Sequence, residues 1–236
     1  MRKDSPYYLP SIKVLQSATL FDGVDKQMME EILEYFTPMT LPKKSIVHSW
    51  QTKESFFVII SGRVKISQIN PETGREYIIF LLQGGDAFDI ISLLDREEHE
   101  VVIEAVDELK LLKTSMHTAR NWLDIHSEFN KNFLPYLGNR MRLLENSATD
   151  LALYDTMTRL ARLILKYVND KNQQEQEHSI KLINDLSHEA LAQMIGSVRK
   201  VINLNIQELK KEGIIDSVRG NLSVKNLQKL LEKALL

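Results

Sequence analysis

Residues 186–209 read LSHEALAQMIGSVRKVINLNIQEL, and the rest of the chain is best read outward from them. Ser187 can cap a first helix with Glu189 in its opening turn, where the positive end of the helix dipole favours an anion. Leu191 and Ile195 then share one side at a spacing of i, i+4. Gly196 interrupts the pattern, and a second helix follows with Ile202, Ile206 and Leu209 inward. Two short helices joined by a tight turn at glycine, with small Ala192 at the crossing and β-branched Ile202 against it, predict a helix-turn-helix. Downstream, Lys210, Lys211, Glu212 and Gly213 end the second helix. Residues 214–218 and 222–224, joined through Arg219, Gly220 and Asn221, predict a strand–turn–strand wing.

Such a unit places the N-terminal residues of its second helix in the major groove, while the first helix and wing touch phosphates. Arg199 lies in that first turn, where a guanidinium can meet guanine O6 and N7 bidentately, and it is the leading base contact. Lys200 and Asn203 share the exposed side and can reach a phosphate or a base edge. Ser187, Ser197 and Arg219 are candidate phosphate contacts. The bland alternative is that Arg199 and Lys200 are solvated surface charges, which would leave the motif without a role.

Immediately upstream, Asp155 caps a predicted helix over 156–169 with Leu160, Leu163, Ile164 and Tyr167 on one side, and residues 153–155 read as a hinge. The polar stretch 169–179, NDKNQQEQEHS, reads as a solvated loop. Before the hinge, Leu134, Leu137, Met141, Leu144, Ala148 and Leu151 recur at 3, 4, 3, 4, 3, a heptad seam along one long helix. Pro135 should kink or start that helix. The seam could pack on its own domain, but a self-paired coiled coil through Leu137, Met141, Leu144, Ala148 and Leu151 is the better reading, because a helix-turn-helix gains affinity by dimerising.

The N-terminal half follows a different period. After a short helical stretch over 25–36, residues 40–115 alternate apolar runs such as Phe57, Val58, Ile59 and Ile60 with turns at Ser61-Gly62, 70–74 and Gly84-Gly85-Asp86. Many short antiparallel strands predict a sandwich or roll. The fold expected is therefore α+β. A β-roll occupies residues 1–126, a dimerisation helix and hinge 127–153, and a winged helix-turn-helix 154–236.

Composition bounds the function. The 236 residues include no cysteine, which removes disulfides, thiolate zinc sites and cysteine-held iron–sulfur clusters. No apolar run is long enough for a membrane span and the N-terminus lacks a signal-peptide core, so the chain is expected in the cytoplasm with no membrane partner. The net charge of −2 hides an asymmetry, since residues 184–236 carry eight Lys and Arg against six Asp and Glu. An enzyme built on the roll, such as a metal-dependent cupin, needs clustered ligands like His-x-His. The six histidines are scattered instead, and phosphate-loop and nucleophile-elbow motifs are missing. No metal site and no catalytic residue is expected. A regulatory subunit using the roll for protein contacts would leave Arg199 and the wing unexplained.

Several segments together resemble the bacterial cyclic-AMP receptor protein / fumarate-nitrate regulator (Crp/Fnr) family over nearly the whole chain. They are Leu20-Phe21 with Gly23-Val24, the run FVIISGRVK at 57–65, Gly84-Gly85-Asp86, DTMTRLARLIL at 155–165, and AQMIGSVR at 192–199. The resemblance implies a homodimer that binds duplex DNA at an inverted-repeat operator and contacts RNA polymerase.

The departures from that family narrow the reading. Where cyclic-AMP-binding members carry Gly-Glu-Leu this chain has Asp89-Ile90-Ile91, and their phosphate-binding arginine falls on His99 or Glu100 in the acidic run 95–100. Leu144 and Glu145 stand where the helix would meet adenine. An apolar side chain cannot replace the ribose contact, and the acidic run repels a cyclic phosphate, so the effector is expected not to be cyclic AMP. Asp89, Ile90, His99, Glu100 and Leu144 would line the corresponding pocket. Haem stays open as a cofactor, with His48, His99, His117 and His126 as alternative axial ligands, as does a small apolar or acidic ligand or none. The recognition helix has Val198, Arg199, Lys200 and Leu204 where the family commonly has Ser/Thr-Arg-Glu and a later Arg. Lys200 adds phosphate affinity and Leu204 offers only apolar contact, for instance to a thymine methyl, so a non-consensus operator is expected.

Overall fold

The computed structural model describes residues 1–168, 178–180, 182–218 and 221–235. Residues 1–75 with 79–142 form one compact unit, and 76–78 with 143–236 form the second. No helix among the described residues is long and apolar enough to cross a membrane.

The first unit opens with α1 (Tyr8–Gln16), a 3-10 turn (Thr19–Phe21) and α2 (Lys26–Glu34), whose cap Asp25 accepts the Met28 amide at 2.8 Å. The roll follows as β1 (Thr37–Leu41), β2 (Ile46–Val47), α3 (Ser49–Glu54), β3 (Ser55–Ser61), β4 (Val64–Ile69), β5 (Glu76–Leu82), β6 (Ala87–Phe88), α4 (Ile90–Asp95), β7 (Val102–Ala105) and β8 (Leu109–Ser115), closed by α5 (Met116–Ile125). Antiparallel pairing orders these strands as two four-stranded sheets, β1-β8-β3-β6 and β2-β7-β4-β5.

Strand β3 shows why the run SFFVIIS does not alternate with polar residues: both of its faces are buried. Phe57 and Ile59 join Val64, Ile66, Ile103 and Leu111 between the sheets, and Phe57 stacks on Phe88 with ring centroids 5.1 Å apart. Phe56, Val58 and Ile60 face the other way, onto Leu15, Leu33, Trp122 and Phe133 of the surrounding helices.

Helix α6 (Ser127–Leu153) holds Pro135 in its interior, so of the two expectations at that residue, a kink or a helix start, the start is overturned. Phe129 and Phe133 are almost fully buried in the helical side of the core, and that packing outweighs the hydrogen bond that Pro135 cannot donate.

The second unit continues with α7 (Thr156–Tyr167), β9 (His178–Ser179), α8 (His188–Met194), α9 (Arg199–Lys211), β10 (Ile215–Val218), β11 (Asn221–Val224) and α10 (Leu227–Leu235). Asp155 caps α7 by accepting the Thr158 amide at 2.8 Å, which holds its carboxyl below the usual carboxylate range. The polar stretch expected to be a solvated loop is corrected at its end. Residues 178–179 pair with β11, giving a three-stranded sheet β10-β11-β9, whereas 169–177 lie outside the described residues. Helix α10 was not expected from the sequence. The Arg162 guanidinium of α7 ties it in by donating to the Ala234 carbonyl at 3.3 Å, and it also donates to Asp150 of α6 at 2.7 Å.

Candidate nucleic-acid interface

The two helices of the motif meet as their apolar positions require. Leu191 and Ala192 of α8 and Ile202, Ile206 and Leu209 of α9 are buried. Ser187 caps α8 by accepting the Ala190 amide at 3.1 Å, so its hydroxyl oxygen already serves the helix end. Gly196 adopts φ +64°, and a Cβ there would lie 2.6 Å from Leu151 Cδ2. The turn is completed by the Ser197 amide donating to the Ala192 carbonyl at 2.8 Å, while the Arg159 guanidinium donates to the Ile195 carbonyl at 2.8 Å.

Burial along α9 divides the helix cleanly. Arg199, Lys200, Leu204 and Gln207 are exposed, whereas Ile202, Asn205 and Ile206 are not. Val198 and Leu204 are exposed large apolar side chains, Leu204 at 57 %. An apolar side chain held in water on a recognition helix is suited to a thymine methyl. Gln207 was not picked out from sequence, yet it lies one turn beyond Leu204 on the same face, and its amide matches the adenine edge in type. The face follows from 3.6-residue periodicity and could have been extended to Gln207 from the sequence alone.

Asn203 departs from the expectation that it lies on the exposed side with Lys200. It is half-buried, and its Oδ1 is hydrogen-bonded to His188 Nδ1 at the start of α8. Arg219, expected at the wing tip, lies outside the described residues. The wing base is charged in both senses. Lys225 approaches Asp216 at 3.1 Å, and Lys210 donates to the Ser217 carbonyl at 3.0 Å. The Lys225 ammonium and the Ser217 amide hold the Asp216 carboxyl below its ordinary range.

Along α6, Leu134, Met141, Leu144, Ala148 and Leu151 are exposed and Leu137 is half-buried, so the expected seam is an uncovered apolar stripe. The opposite face of the N-terminal half holds Phe133, Tyr136 and Arg140, all turned into the first unit.

In the roll, the residues singled out as an effector pocket divide. The Asp89 side chain is 1 % exposed and accepts His99 Nδ1 at 2.8 Å and the Ser92 hydroxyl at 2.8 Å. Burial opposes ionisation of Asp89, but hydrogen bonds from His99, Ser92 and Thr52 outweigh it and hold the carboxyl below its ordinary value. Ile90 packs against the helical side of the core, and Glu100 is exposed. Arg120 closes the C-terminal end of α4 by donating to the Ser92 carbonyl at 2.6 Å and the Leu93 carbonyl at 3.0 Å.

The four histidines left open for haem stand apart. His48 and His117 are exposed, with His117 Nε2 3.2 Å from Asn121 Nδ2, while His126 ends α5 and His99 is engaged with Asp89. Among the described residues no group of three or more His, Asp or Glu is arranged to hold a metal ion.

Comparison with known proteins bears on both units. Residues 158–233 match the model of the Crp-like helix-turn-helix domain, and residues 39–126 match that of the cyclic nucleotide-binding domain. The chain is similar to the CRP-like cAMP-activated global transcriptional regulator of Mycobacterium tuberculosis, 23% identical over 94% of this chain and 99% of that one. It is also similar to the Global nitrogen regulator of a Synechocystis strain, 25% identical over 89% of this chain and 91% of that one. Among solved structures, a CooA mutant from Carboxydothermus hydrogenoformans superposes with a TM-score of 0.74 at 25% identity, covering 86% of this chain and 90% of the other. Two matching domain models in the family's order and relatives aligned almost end to end place this chain in the Crp/Fnr family of DNA-binding transcription regulators.

Proposed function

We propose that this regulator acts in the cytoplasm as a homodimer on an inverted-repeat operator, that it contacts RNA polymerase there, and that cyclic AMP is not its effector. The observation that carries the reading is the exposed face of α9, where Arg199 and Lys200 begin the helix and Leu204 and Gln207 continue it. Arg199 reads a guanine, Lys200 binds phosphate, and Ser197 and Arg219 supply further phosphate contacts. Pairing of α6 through Leu137, Met141, Leu144 and Ala148 sets the two recognition helices about one turn of DNA apart, roughly 34 Å. A shift of that seam, or of the segment at 153–155, changes the spacing and thereby the affinity.

Three features support a sensor without cyclic AMP. An isoleucine, Ile90, stands in place of the ribose-binding carboxylate. Asp89 and His99 satisfy each other, and the exposed run at 95–98 with Glu100 carries negative charge where a phosphate would lie. The sensor then takes haem, a small apolar or acidic ligand, or none. Selection of operators from random duplexes, followed by gel-shift titration against salt, tests the reading. Specific binding with a steep salt dependence and a sequence unlike the cyclic-AMP-dependent consensus is expected. Recovery of that consensus, or equal affinity for every duplex, would refute it. An absorbance spectrum and a native mass spectrum of the purified protein settle whether a haem or another ligand is retained.

A further inference from the structure

The exposed face of α9 is polar except at its centre. Lys200, Leu204, Gln207 and Lys211 recur at intervals of 4, 3 and 4, so they line one side of the helix, and all four are exposed. Among the described residues of α9, Leu204 is the only large apolar side chain left exposed, at 57 %. The fold does not need it there, because Ile202, Ile206 and Leu209 on the opposite side already pack α9 into the second unit. A leucine in the major groove has one kind of partner. The base edges there present donors and acceptors, and the C5-methyl of thymine is the single apolar group among them. Pressed against any other edge, the side chain would strip water from a polar group and return no hydrogen bond. Arg199 lies five residues earlier, about 7.5 Å along the helix axis, so the two side chains meet different base pairs.

We propose that Leu204 reads the C5-methyl group of one pyrimidine in each half-site, and not the base that carries it, so that 5-methylcytosine is accepted at that position as thymine is. Operator affinity then responds to cytosine 5-methylation, a modification that leaves base pairing and every hydrogen-bonding group of the pair in place. The inference rests on the reading of α9 as the recognition helix and adds to it a ligand group for the one residue on that face whose side chain cannot hydrogen-bond.

The test uses the full chain and the duplex operator selected for it. Each thymine of a half-site is replaced singly by deoxyuridine, which removes the methyl and leaves pairing unchanged. One position is expected to lose about fourfold in affinity, the worth of one buried methyl, and about fifteenfold when both half-sites are changed. In Leu204→Ala that loss should vanish while losses at other positions stay. Cytosine is then placed at the same position, with guanine opposite, with and without a 5-methyl group. Wild type should bind the methylated duplex about fourfold more tightly, and Leu204→Ala should bind the two alike. The deoxyuridine scan of the wild type needs no variant, so poor folding of Leu204→Ala cannot produce its result. The proposal fails if no thymine shows the loss, if the loss persists in Leu204→Ala, or if 5-methylation of the cytosine changes nothing. Where Arg199→Ala relaxes one position but the methyl has no effect, only the reading of Leu204 falls. If wild type binds every duplex equally and Arg199→Ala changes nothing, the operator reading itself falls and takes the proposal with it.

Discussion

Arg140, in the middle of α6, forms an ion pair with Asp86 in the turn that follows Gly84 and Gly85, and donates to the Tyr136 hydroxyl at 2.8 Å. The turn is built for this approach. Gly85 adopts φ +92°, and a Cβ on Gly84 would lie 2.9 Å from the Ile60 carbonyl oxygen. The Asp86 Oδ2 also accepts the Gln83 amide at 3.0 Å, and the guanidinium lies 4.7 Å from the Tyr136 ring centroid. Burial disfavours the charged guanidinium, but Tyr136 and Asp86 more than offset it and raise Arg140 above its ordinary value.

Both partners are largely shielded, so Asp86→Ala strands a buried cation and should destabilise the first unit by about 3 kcal/mol in urea unfolding. Adding Arg140→Leu removes the stranded charge. The double variant is expected to be more stable than Asp86→Ala alone, and a double variant that is less stable would show that the pair's attraction was not what the single change removed.

Gly196→Ala forces a side chain onto a residue at φ +64° and drives a methyl toward Leu151. The backbone term alone is about 1 kcal/mol, and the steric term adds to it. Unfolding of the second unit should therefore shift by roughly 1–3 kcal/mol. Combining it with Leu151→Ala should relieve only the steric part. Equal stability of Gly196→Ala and wild type would contradict the geometry of this turn.

The period of the sequence made most of this fold legible, and what escaped it was non-local or short. The helix-turn-helix, the wing strands and the cap at Asp155 rest on neighbours within a few residues, and they stand where local pattern put them. Helix α4 has six residues between an apolar run and an acidic one, too few for a period to emerge. Helix α10 has a clear period in Leu227, Leu230, Leu231 and Ala234, and was missed because the wing was taken as the end of the motif. Pro135 looked like a boundary because local propensity favours one, while Phe129 and Phe133 carry the helix through it by tertiary burial. Asn203 was placed on the exposed side with Lys200 because its partner His188 is fifteen residues away in sequence, a pairing no local pattern encodes. The same holds for Asp89 and His99, ten residues apart and joined only once α4 folds between them.

Leu144 is 39 % exposed on α6, and its neighbours Met141 and Ala148 along the stripe are also uncovered. Leu144→Glu would bury a charge in the proposed seam while costing the isolated chain little. The variant should elute at half the wild-type mass on a sizing column and lose operator binding, with its far-UV circular dichroism unchanged. Retention of the dimer by this variant would refute the seam.

Asp89 tests the sensor from a different side. Its carboxyl lies below the ordinary value because His99, Ser92 and Thr52 donate to it. A group whose folded pKa is depressed contributes stability above its unfolded value, 3.8 here, and loses it as pH falls through the lower folded value. Between pH 6 and pH 3, unfolding free energy should fall less steeply in Asp89→Asn than in wild type. At pH 7 Asp89→Ala, which leaves buried donors unpaired, should cost about 1–3 kcal/mol. Identical acid slopes in wild type and Asp89→Asn would show that the carboxylate is not held by these donors.

Arg199 and Lys200 are adjacent and both exposed, yet their proposed tasks differ, and salt separates them. A bidentate guanidinium on guanine carries sequence information, so Arg199→Ala should cost about 1–3 kcal/mol on the selected operator and relax preference at a single position in each half-site. An ammonium on phosphate carries none. Lys200→Ala should weaken every duplex alike and reduce the slope of log affinity against log salt by about one for each recognition helix engaged. Because the two residues are neighbours on one helix, loss of helix structure would move both observables together in both variants. The opposite assignment, with Lys200→Ala changing base preference and Arg199→Ala changing only the salt slope, would mean that α9 enters the groove rotated from the orientation its exposed face defines.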